Sequence, residues 1–118
     1  MKGTLDDNLL EAIKDTVIGC GYSNPNICIK TISERFNLNR KRLGYNFKKR
    51  YGYTINEYVN NLRIERAKRL LEENKYSITS ISYIVGFSFG TYFYRVFKNT
   101  TGLSPLEYQA RVNKNIKN

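Results

Sequence analysis

Basic, polar and aromatic side chains are concentrated at two places along the chain, each directly after a residue suited to a tight turn. One group follows Asn37 and comprises Asn39, Arg40, Lys41, Arg42, Tyr45, Lys48 and Lys49. The other follows Gly86 and comprises Ser88, Phe89, Gly90, Thr91, Tyr94, Arg95 and Lys98. Arginine and lysine can donate hydrogen bonds to guanine O6 and N7, and tyrosine can pack on a thymine methyl. Both groups therefore have the chemistry needed to contact DNA.

The order of residues within each group separates two kinds of contact. The basic run at 40–42 begins a predicted helix, and the N-terminal outward side chains of such a helix can enter the major groove. In the second group, Arg95 is the side chain that can make a bidentate base contact. We expect phosphate contacts, which set affinity and register, from the cations farther along the two helices, Lys48, Lys49, Arg50 and Lys98.

Neighbouring residues have structural alternatives. Phe93 and Phe97 recur at helical spacing, so we predict that both belong to the core, and we predict the same for Tyr92. For the basic run at 40–42 the alternative is a solvated face without a partner. Its place at the start of a capped helix, after a tight turn, favours groove contact instead.

Apolar spacing predicts the helices that position the first group. Asn37 is suited to the left-handed conformation of a turn between two helices. Asn39 is a favourable N-cap for the second helix, which we place at about 40–51 and end at Gly52. The residues predicted to face inward are Ile29, Ile32, Ser33, Phe36, Leu43 and Phe47. This pattern is typical of a helix-turn-helix unit.

The second group lies in a copy of the same pattern. We align Ser88 with Asn39 at a shift of 49 residues and place one extra residue at the start of the following helix. Phe93, Phe97 and Gly102 then align with their counterparts at a shift of 50. The chain is therefore predicted to contain two helix-turn-helix units.

Two further helices precede and join these units. Residues 6–18 should form an amphipathic helix that Gly19 and Gly21 end, because the residues of its apolar face recur at helical spacing: Leu9, Leu10, Ile13, Val17 and Ile18. The capping box at 54–57 begins a long helix to about Asn74, which would span about 30 Å. Its predicted apolar stripe consists of Ile55, Tyr58, Val59, Leu62, Ala67, Leu70 and Leu71.

A second capping box, Ser104 to Glu107, begins the last helix, which we predict to end near Val112. The tail at 113–118 lacks apolar periodicity and should fray. In the long helix, Glu65 is placed to pair with Arg69 at i, i+4.

The charge distribution supports an anionic partner. The 118 residues carry a formal net charge of +10. Residues 27–54 hold eight basic and one acidic side chain, and residues 77–118 hold five and one. The excess therefore lies in the two predicted helix-turn-helix units, which is typical of nucleic-acid-binding proteins.

The composition argues against several other classes. Two cysteines and no histidine do not support a zinc site, and no cofactor is expected. Cys20 and Cys28 could form one disulfide, but nothing else indicates secretion. The uncharged run 76–94 is too rich in serine, threonine and glycine for a membrane helix. We therefore interpret the protein as cytoplasmic, without a membrane partner.

These motifs resemble the DNA-binding domain of the AraC/XylS family of bacterial transcription regulators. The resemblance extends over about 6–110. Its signature residues here are Gly86, Phe87, Ser88, Tyr92, Phe93, Arg95, Phe97, Lys98, Gly102, Ser104, Pro105, Glu107 and Tyr108. It implies an all-α fold of seven helices. Residues 1–53 and 76–118 would form two helix-turn-helix subdomains joined by a linker helix at 54–75, and both recognition helices would enter successive major grooves.

The resemblance also implies which positions contact bases. They are Lys41, Gly44, Tyr45, Gly90, Thr91, Tyr94 and Arg95. Gly44 and Gly90 have no side chain for such contacts, and Phe89 replaces a residue that is commonly polar. Ser33 and Ser82 replace small alanines, so their hydroxyls should bond to backbone acceptors.

The expected function is a sequence-specific, double-stranded DNA-binding transcription regulator that activates through RNA polymerase. We expect it to be the C-terminal part of a larger regulator with a sensor or dimerisation domain elsewhere. The alternative is a non-specific nucleic-acid-binding module that stacks bases on Tyr45, Phe89 and Tyr94. An enzyme is not expected, because histidine, a metal cluster and a convincing phosphate loop are all missing from the sequence.

Overall fold

The computed structural model describes residues 5–117, except for the side chains of Cys20 and of residues 115–117. Within this range it contains seven α-helices and no strand, which confirms the predicted all-α class. The helices are α1 Asp7–Thr16, α2 Ile29–Arg35, α3 Arg40–Tyr51, α4 Ile55–Glu73, α5 Ile78–Ile84, α6 Gly90–Thr101 and α7 Pro105–Lys117. The chain divides into two compact units between Asn60 and Asn61.

The first helix ends differently from the prediction. α1 stops at Thr16, and the chain continues as a π-helical turn in which the Tyr22 amide donates to the Val17 carbonyl at 3.1 Å. This wider turn buries Val17 and leaves Ile18 50% exposed, so the predicted inward position of Ile18 is wrong. A Cβ on Gly21 would lie 3.0 Å from the Thr16 carbonyl oxygen, which explains the glycine there.

The helix-turn-helix of the first unit matches the prediction closely. Asn37 adopts the left-handed conformation with φ of 55°, and the Leu38 amide donates to the Ser33 carbonyl at 2.7 Å. The Asn39 side chain caps α3 by accepting from the Arg42 amide at 3.0 Å. The end of α3 at Gly52, which has a φ of 87°, is also confirmed.

Two polar contacts in the first unit were not predicted. Asn46 is buried, and its side chain accepts from the Leu5 amide at 3.1 Å and donates to the Arg42 carbonyl at 2.8 Å. The Lys14 ammonium lies over the rings of three tyrosines, 4.2 Å from the centroid of Tyr51, 5.1 Å from Tyr58 and 6.0 Å from Tyr53. It also donates to the Tyr53 hydroxyl at 3.4 Å.

The long helix α4 contributes to both units. Its start is the predicted capping box, in which Thr54 and Glu57 exchange hydrogen bonds of 2.8 and 3.0 Å. The first half buries Ile55 and Val59 in the first unit. The second half buries Ile64, Ala67 and Leu71 in the core of the second unit. The description of residues 54–75 as a separate linker stays a prediction.

Several side chains of α4 depart from the predicted pattern. Ile64 is fully buried although it was not assigned to the apolar stripe, whereas Leu62 is only partly buried. The predicted Glu65–Arg69 pair is wrong, because Glu65 instead pairs with Lys68 at 3.1 Å, three residues away. A shift of one residue keeps the pair on the exposed side of a helix whose other side is in the core.

The second unit repeats the turn but not the predicted alignment. Gly86 has a φ of 113°, and the Phe87 amide donates to the Ser82 carbonyl at 2.9 Å, as Leu38 does to Ser33. The N-cap of α6 is Phe89, so Phe89 rather than Ser88 corresponds to Asn39. The extra residue therefore lengthens the turn and does not enter the helix, and α3 and α6 have the same length of 12 residues.

The last helix is longer than predicted. Its capping box is confirmed, since Ser104 and Glu107 exchange hydrogen bonds of 2.9 and 3.1 Å. However, α7 extends to Lys117 instead of ending near Val112. Beyond the predicted end, the Asn113 and Asn74 side-chain amides donate to each other at 3.2 and 2.8 Å, and these bonds help to hold the added turns of α7.

The three tyrosine rings around the Lys14 ammonium, those of Tyr51, Tyr53 and Tyr58, form a cage that predicts a stabilising role for Lys14. We expect Lys14→Ala to lower the free energy of unfolding by about 1–2 kcal/mol, because both the ammonium–ring attraction and the packing of the alkyl chain are lost. Lys14→Met, which keeps the chain, should lose about half as much. Urea unfolding measures the difference, with the half-exposed Lys68→Ala, which removes a helix-surface ion pair, as the control, for which about 0.3–0.5 kcal/mol is expected. Equal losses for Lys14→Ala and Lys68→Ala would contradict the role of the cage.

The Tyr108 hydroxyl predicts a loss of stability at high pH. Burial, followed by its 2.8 Å hydrogen bond to Glu72 and the charges of Glu72 and Glu65, raises the pKa of Tyr108 to about 12. An unfolded tyrosine has a pKa of about 10. The contribution is therefore complete below about pH 10 and lost as the pH rises toward 12. Unfolding at pH 9 and 11 should show a smaller pH dependence for Tyr108→Phe and an unchanged one for the exposed Tyr83→Phe.

Candidate nucleic-acid interface

The buried residues of α3 show which face of the helix points outward. Leu43, Asn46 and Phe47 point into the first unit. On a helix of 3.6 residues per turn, Lys41, Tyr45 and Lys48 then lie on the opposite face. All three are exposed, Tyr45 by 65%. The flanking residues Asn39, Arg40, Arg42 and Lys49 are exposed as well.

Packing explains the missing side chain at the centre of this surface. A Cβ on Gly44 would lie 3.0 Å from Cδ1 of Ile29 on α2, so a larger residue here would require the Ile29 side chain to shift, and the close contact between the two helices favours a glycine. Gly44, Tyr45, Lys48 and Lys49 line a shallow depression of about 400 Å³. The Lys49 ammonium lies 5.7 Å from the centroid of the Tyr45 ring.

In the part of the chain that the structure describes, only some of the basic side chains of α3 form an ion pair with a carboxylate of the protein. Arg50 pairs with Asp7 at 3.5 Å, at the C-terminal end of the helix. Within the described residues, no ion pair occupies Arg40, Lys41, Arg42 or Lys48. The basic surface of the first unit is therefore available to an external anion such as phosphate.

The outward face of α6 is organised in the same way but carries other chemistry. Phe93 and Phe97 are fully buried, so Thr91, Arg95 and Lys98 lie opposite them and are exposed. Tyr94 lies on one flank with 44% of its surface exposed. Ser88 and Phe89 are exposed before the helix, and Gly90, at its first position, is partly buried.

A stack of cations and rings connects this face to the core. The predicted core position of Tyr92 is wrong: the residue is 41% exposed, with its ring edge against Phe87 at 5.7 Å. The Arg95 guanidinium lies over Tyr92 at 5.4 Å, and the buried Arg63 lies over Phe87 at 5.3 Å. Tyr92 faces outward because Phe87 already fills the space beside Phe93. Its ring can hold the Arg95 guanidinium in a defined plane.

The bracing helices satisfy the two serines that replace the expected alanines. Ser33 and Ser82 are buried, and their hydroxyls donate to the carbonyls of Lys30 and Thr79, both at 2.8 Å. The predicted backbone acceptors are therefore confirmed. The serines leave the packing between the two helices of each unit intact.

The predicted interface residues thus lie on one side of each recognition helix, and their contacts with DNA stay predictions. On the recognition helices, Tyr92 is a residue that sequence reasoning placed wrongly. The described residues contain no cluster of three or more potential metal ligands. Among the same residues, no helix has the length and apolar character needed to cross a membrane. The possible disulfide involves the Cys20 side chain, which lies outside the described residues, and the Cys28 thiol is free.

Two helix-turn-helix units, each with an exposed polar face on its second helix, define the helix-turn-helix class of DNA-binding domains. A family model described as a helix-turn-helix domain matches residues 32–111. The chain belongs to this AraC/XylS-type helix-turn-helix family.

Individual proteins agree with this assignment. The chain is 37% identical to the Msm operon regulatory protein of Streptococcus mutans over 87 residues, which are 74% of this chain and 31% of that protein. It is 31% identical to the arabinose operon regulatory protein of Escherichia coli over 106 residues, 90% of this chain and 36% of that protein. The chain thus spans about a third of the length of these relatives.

A solved structure has the same fold. The C-terminal domain of the two-component response regulator yesN from Fusobacterium nucleatum superposes with a TM-score of 0.80 and 28% identity, covering 87% of this chain and 99% of that domain. The predicted seven-helix architecture and the predicted family are therefore both confirmed.

The unpaired lysines of α3 predict a strong salt dependence of DNA binding. Each phosphate contact contributes about −0.9 to the slope of log affinity against log salt. We expect the double variant Lys48→Ala, Lys49→Ala to make this slope about 1.8 units less negative, and Lys98→Ala to change it by about half as much. Fluorescence anisotropy at several salt concentrations measures the slopes, with Lys68→Ala as the control. Slopes equal to that of the unmodified protein would exclude these lysines from phosphate contact.

Proposed function

We propose that the chain is the DNA-binding part of a sequence-specific transcription regulator. The observation that carries this proposal is the duplication of one scaffold, in which α3 and α6 each present an exposed face opposite a buried pair of apolar residues. A single recognition helix contacts a few base pairs, and two of them together specify a longer, asymmetric site. The protein acts through binding and not through catalysis.

In this proposal the two recognition helices enter major grooves with different roles. The first supplies most of the electrostatic affinity through its cations at 40–42 and through Lys48 and Lys49. The second supplies a bidentate contact through Arg95, which can donate to O6 and N7 of guanine. Lys98 contributes a phosphate contact.

The larger protein is proposed from its relatives. Two operon regulatory proteins are about two and a half times as long as this chain, and the yesN domain is the C-terminal part of a response regulator. We propose that this domain likewise forms the C-terminal part of a longer cytoplasmic regulator. That regulator would carry a sensor or dimerisation domain and activate transcription by contacting RNA polymerase.

Arg95 provides the sharpest test of sequence-specific binding. Duplexes selected from a random library by the unmodified chain define its site. We expect Arg95→Ala to weaken binding to that site by about 1–3 kcal/mol and to relax the preference at one base position. Arg95→Lys should restore little of this preference, because lysine lacks the planar fork of donors.

Two comparisons separate the proposal from its rivals. Lys98→Ala should weaken binding to all duplexes by a similar factor, since a phosphate contact carries no sequence information. Competition with single-stranded DNA distinguishes a module that stacks unpaired bases. Selection of random sequences without enrichment, or stronger binding to the single strand, would overturn the proposed function.

A further inference from the structure

Phe89 is the most exposed of the large apolar side chains in the described structure, with 72% of its surface accessible. It occupies the N-cap position of α6, directly before the first residue of that helix. The buried core of the second unit includes Phe87, Phe93 and Phe97 but not Phe89. Its ring therefore does not stabilise the fold through burial, although phenylalanine is usually buried.

The same residue is unfavourable for the helix it begins. Phe89 makes no side-chain hydrogen bond to the free amides of α6. Its counterpart Asn39 accepts from the Arg42 amide at 3.0 Å in the equivalent position. Asparagine, aspartate and serine are preferred at N-caps because they satisfy such amides, whereas apolar side chains are disfavoured. Local stability and solubility thus both oppose a phenylalanine here, a conflict that typically occurs at functional sites.

The residues around Phe89 leave its ring free to contact an apolar group on the edge of a base. Gly90 follows it, and a Cβ at Gly90 would meet no atom within 4 Å outside its chain neighbours, so packing against the rest of the fold does not require this glycine. Thr91 and Tyr94, also exposed, are the next residues on this part of the helix surface. In the first unit the residues corresponding to Phe89 and Gly90 are Asn39 and Arg40, which are both polar.

We propose, on the basis of the proposed function, that Phe89 recognises thymine by packing its ring against the C5-methyl group in the major groove. Among the four bases of DNA, thymine alone presents a methyl group in this groove, so an apolar side chain can discriminate in its favour. The second unit then combines one methyl contact from Phe89 with one guanine contact from Arg95. The first unit relies on donors and cations alone at its N-terminal end.

Replacing thymine by deoxyuridine tests this directly, because only the methyl group is removed. Duplexes are first selected from a random library, and each thymine of the selected site is then replaced by deoxyuridine in turn. We expect one replacement in the segment bound by α6 to weaken binding about fourfold, which is the effect of exposing one buried methyl-sized group. Replacements elsewhere should change affinity by less than about twofold.

A matched set of variants assigns the effect to Phe89. Phe89→Ala should bind the thymine and deoxyuridine duplexes equally, and Phe89→Leu should retain part of the difference. Phe89→Asn should raise the midpoint of thermal unfolding, because it adds the missing cap, while it abolishes the thymine preference. Ile18→Ala, which removes an exposed apolar side chain on the π-helical turn, should leave both the preference and the affinity unchanged.

The outcomes distinguish this inference from the proposed function. Failure to select any sequence would overturn both. A selected site in which no deoxyuridine replacement matters, or in which Phe89→Ala keeps the fourfold difference, would overturn the thymine contact and leave the regulator intact. In Phe89→Ala, affinity for the thymine duplex should fall more than affinity for the deoxyuridine duplex. If both affinities fell by the same factor, the thymine contact would also be overturned, because Phe89 would then act by insertion between base pairs rather than by contact with the methyl group.

Discussion

The interface depends on a tight turn in which a left-handed residue is locked by one backbone hydrogen bond. In the first unit this residue is Asn37, followed by the bond from Leu38 to Ser33, and in the second it is Gly86, followed by the bond from Phe87 to Ser82. This hydrogen bond ties the turn to the end of the bracing helix, just before the recognition helix begins. The direction of that helix, and hence the side chains it exposes, follows from this geometry together with the buried residues that hold it in place.

Because packing fixes the scaffold, the exposed face can vary between the two copies without a change of fold. At a shift of 50 residues, Lys41 corresponds to Thr91, Tyr45 to Arg95 and Lys48 to Lys98. Cations dominate the first face, whereas aromatic rings and a single arginine characterise the second. Long-range attraction and base discrimination can therefore be divided between the copies, since phosphate contacts contribute affinity and base contacts contribute specificity.

The sequence was sufficient to predict the features that depend on local chemistry. Both capping boxes, the left-handed Asn37 and the glycine ends of α3 and α6 were predicted because a few neighbouring residues determine them. Some errors were local: Ile18 is exposed where a π-helical turn replaces the end of α1, Glu65 pairs with Lys68 rather than Arg69, and Tyr92 stays 41% exposed. Others arose where separate segments meet: Asn113, beyond the predicted end of α7, bonds to Asn74, which lies 39 residues away. The contacts of Asn46 and Lys14 likewise join separate segments of the chain, so periodicity could not reveal them.

Gly44 and Gly90 are both glycines on a recognition helix, but the reasons for a glycine at the two positions differ. Each lies at a position where the family resemblance implies base contact, and sequence alone suggests in both cases that contacts there are sparse. The structure separates them: a Cβ at Gly44 would press on Cδ1 of Ile29 at 3.0 Å, whereas a Cβ at Gly90 would meet no atom within 4 Å outside its chain neighbours. The first glycine is explained by the packing of α2 on α3, so it needs no role in binding. The second has no such explanation in the packing of the fold, so its missing side chain is consistent with the binding role proposed for this end of α6.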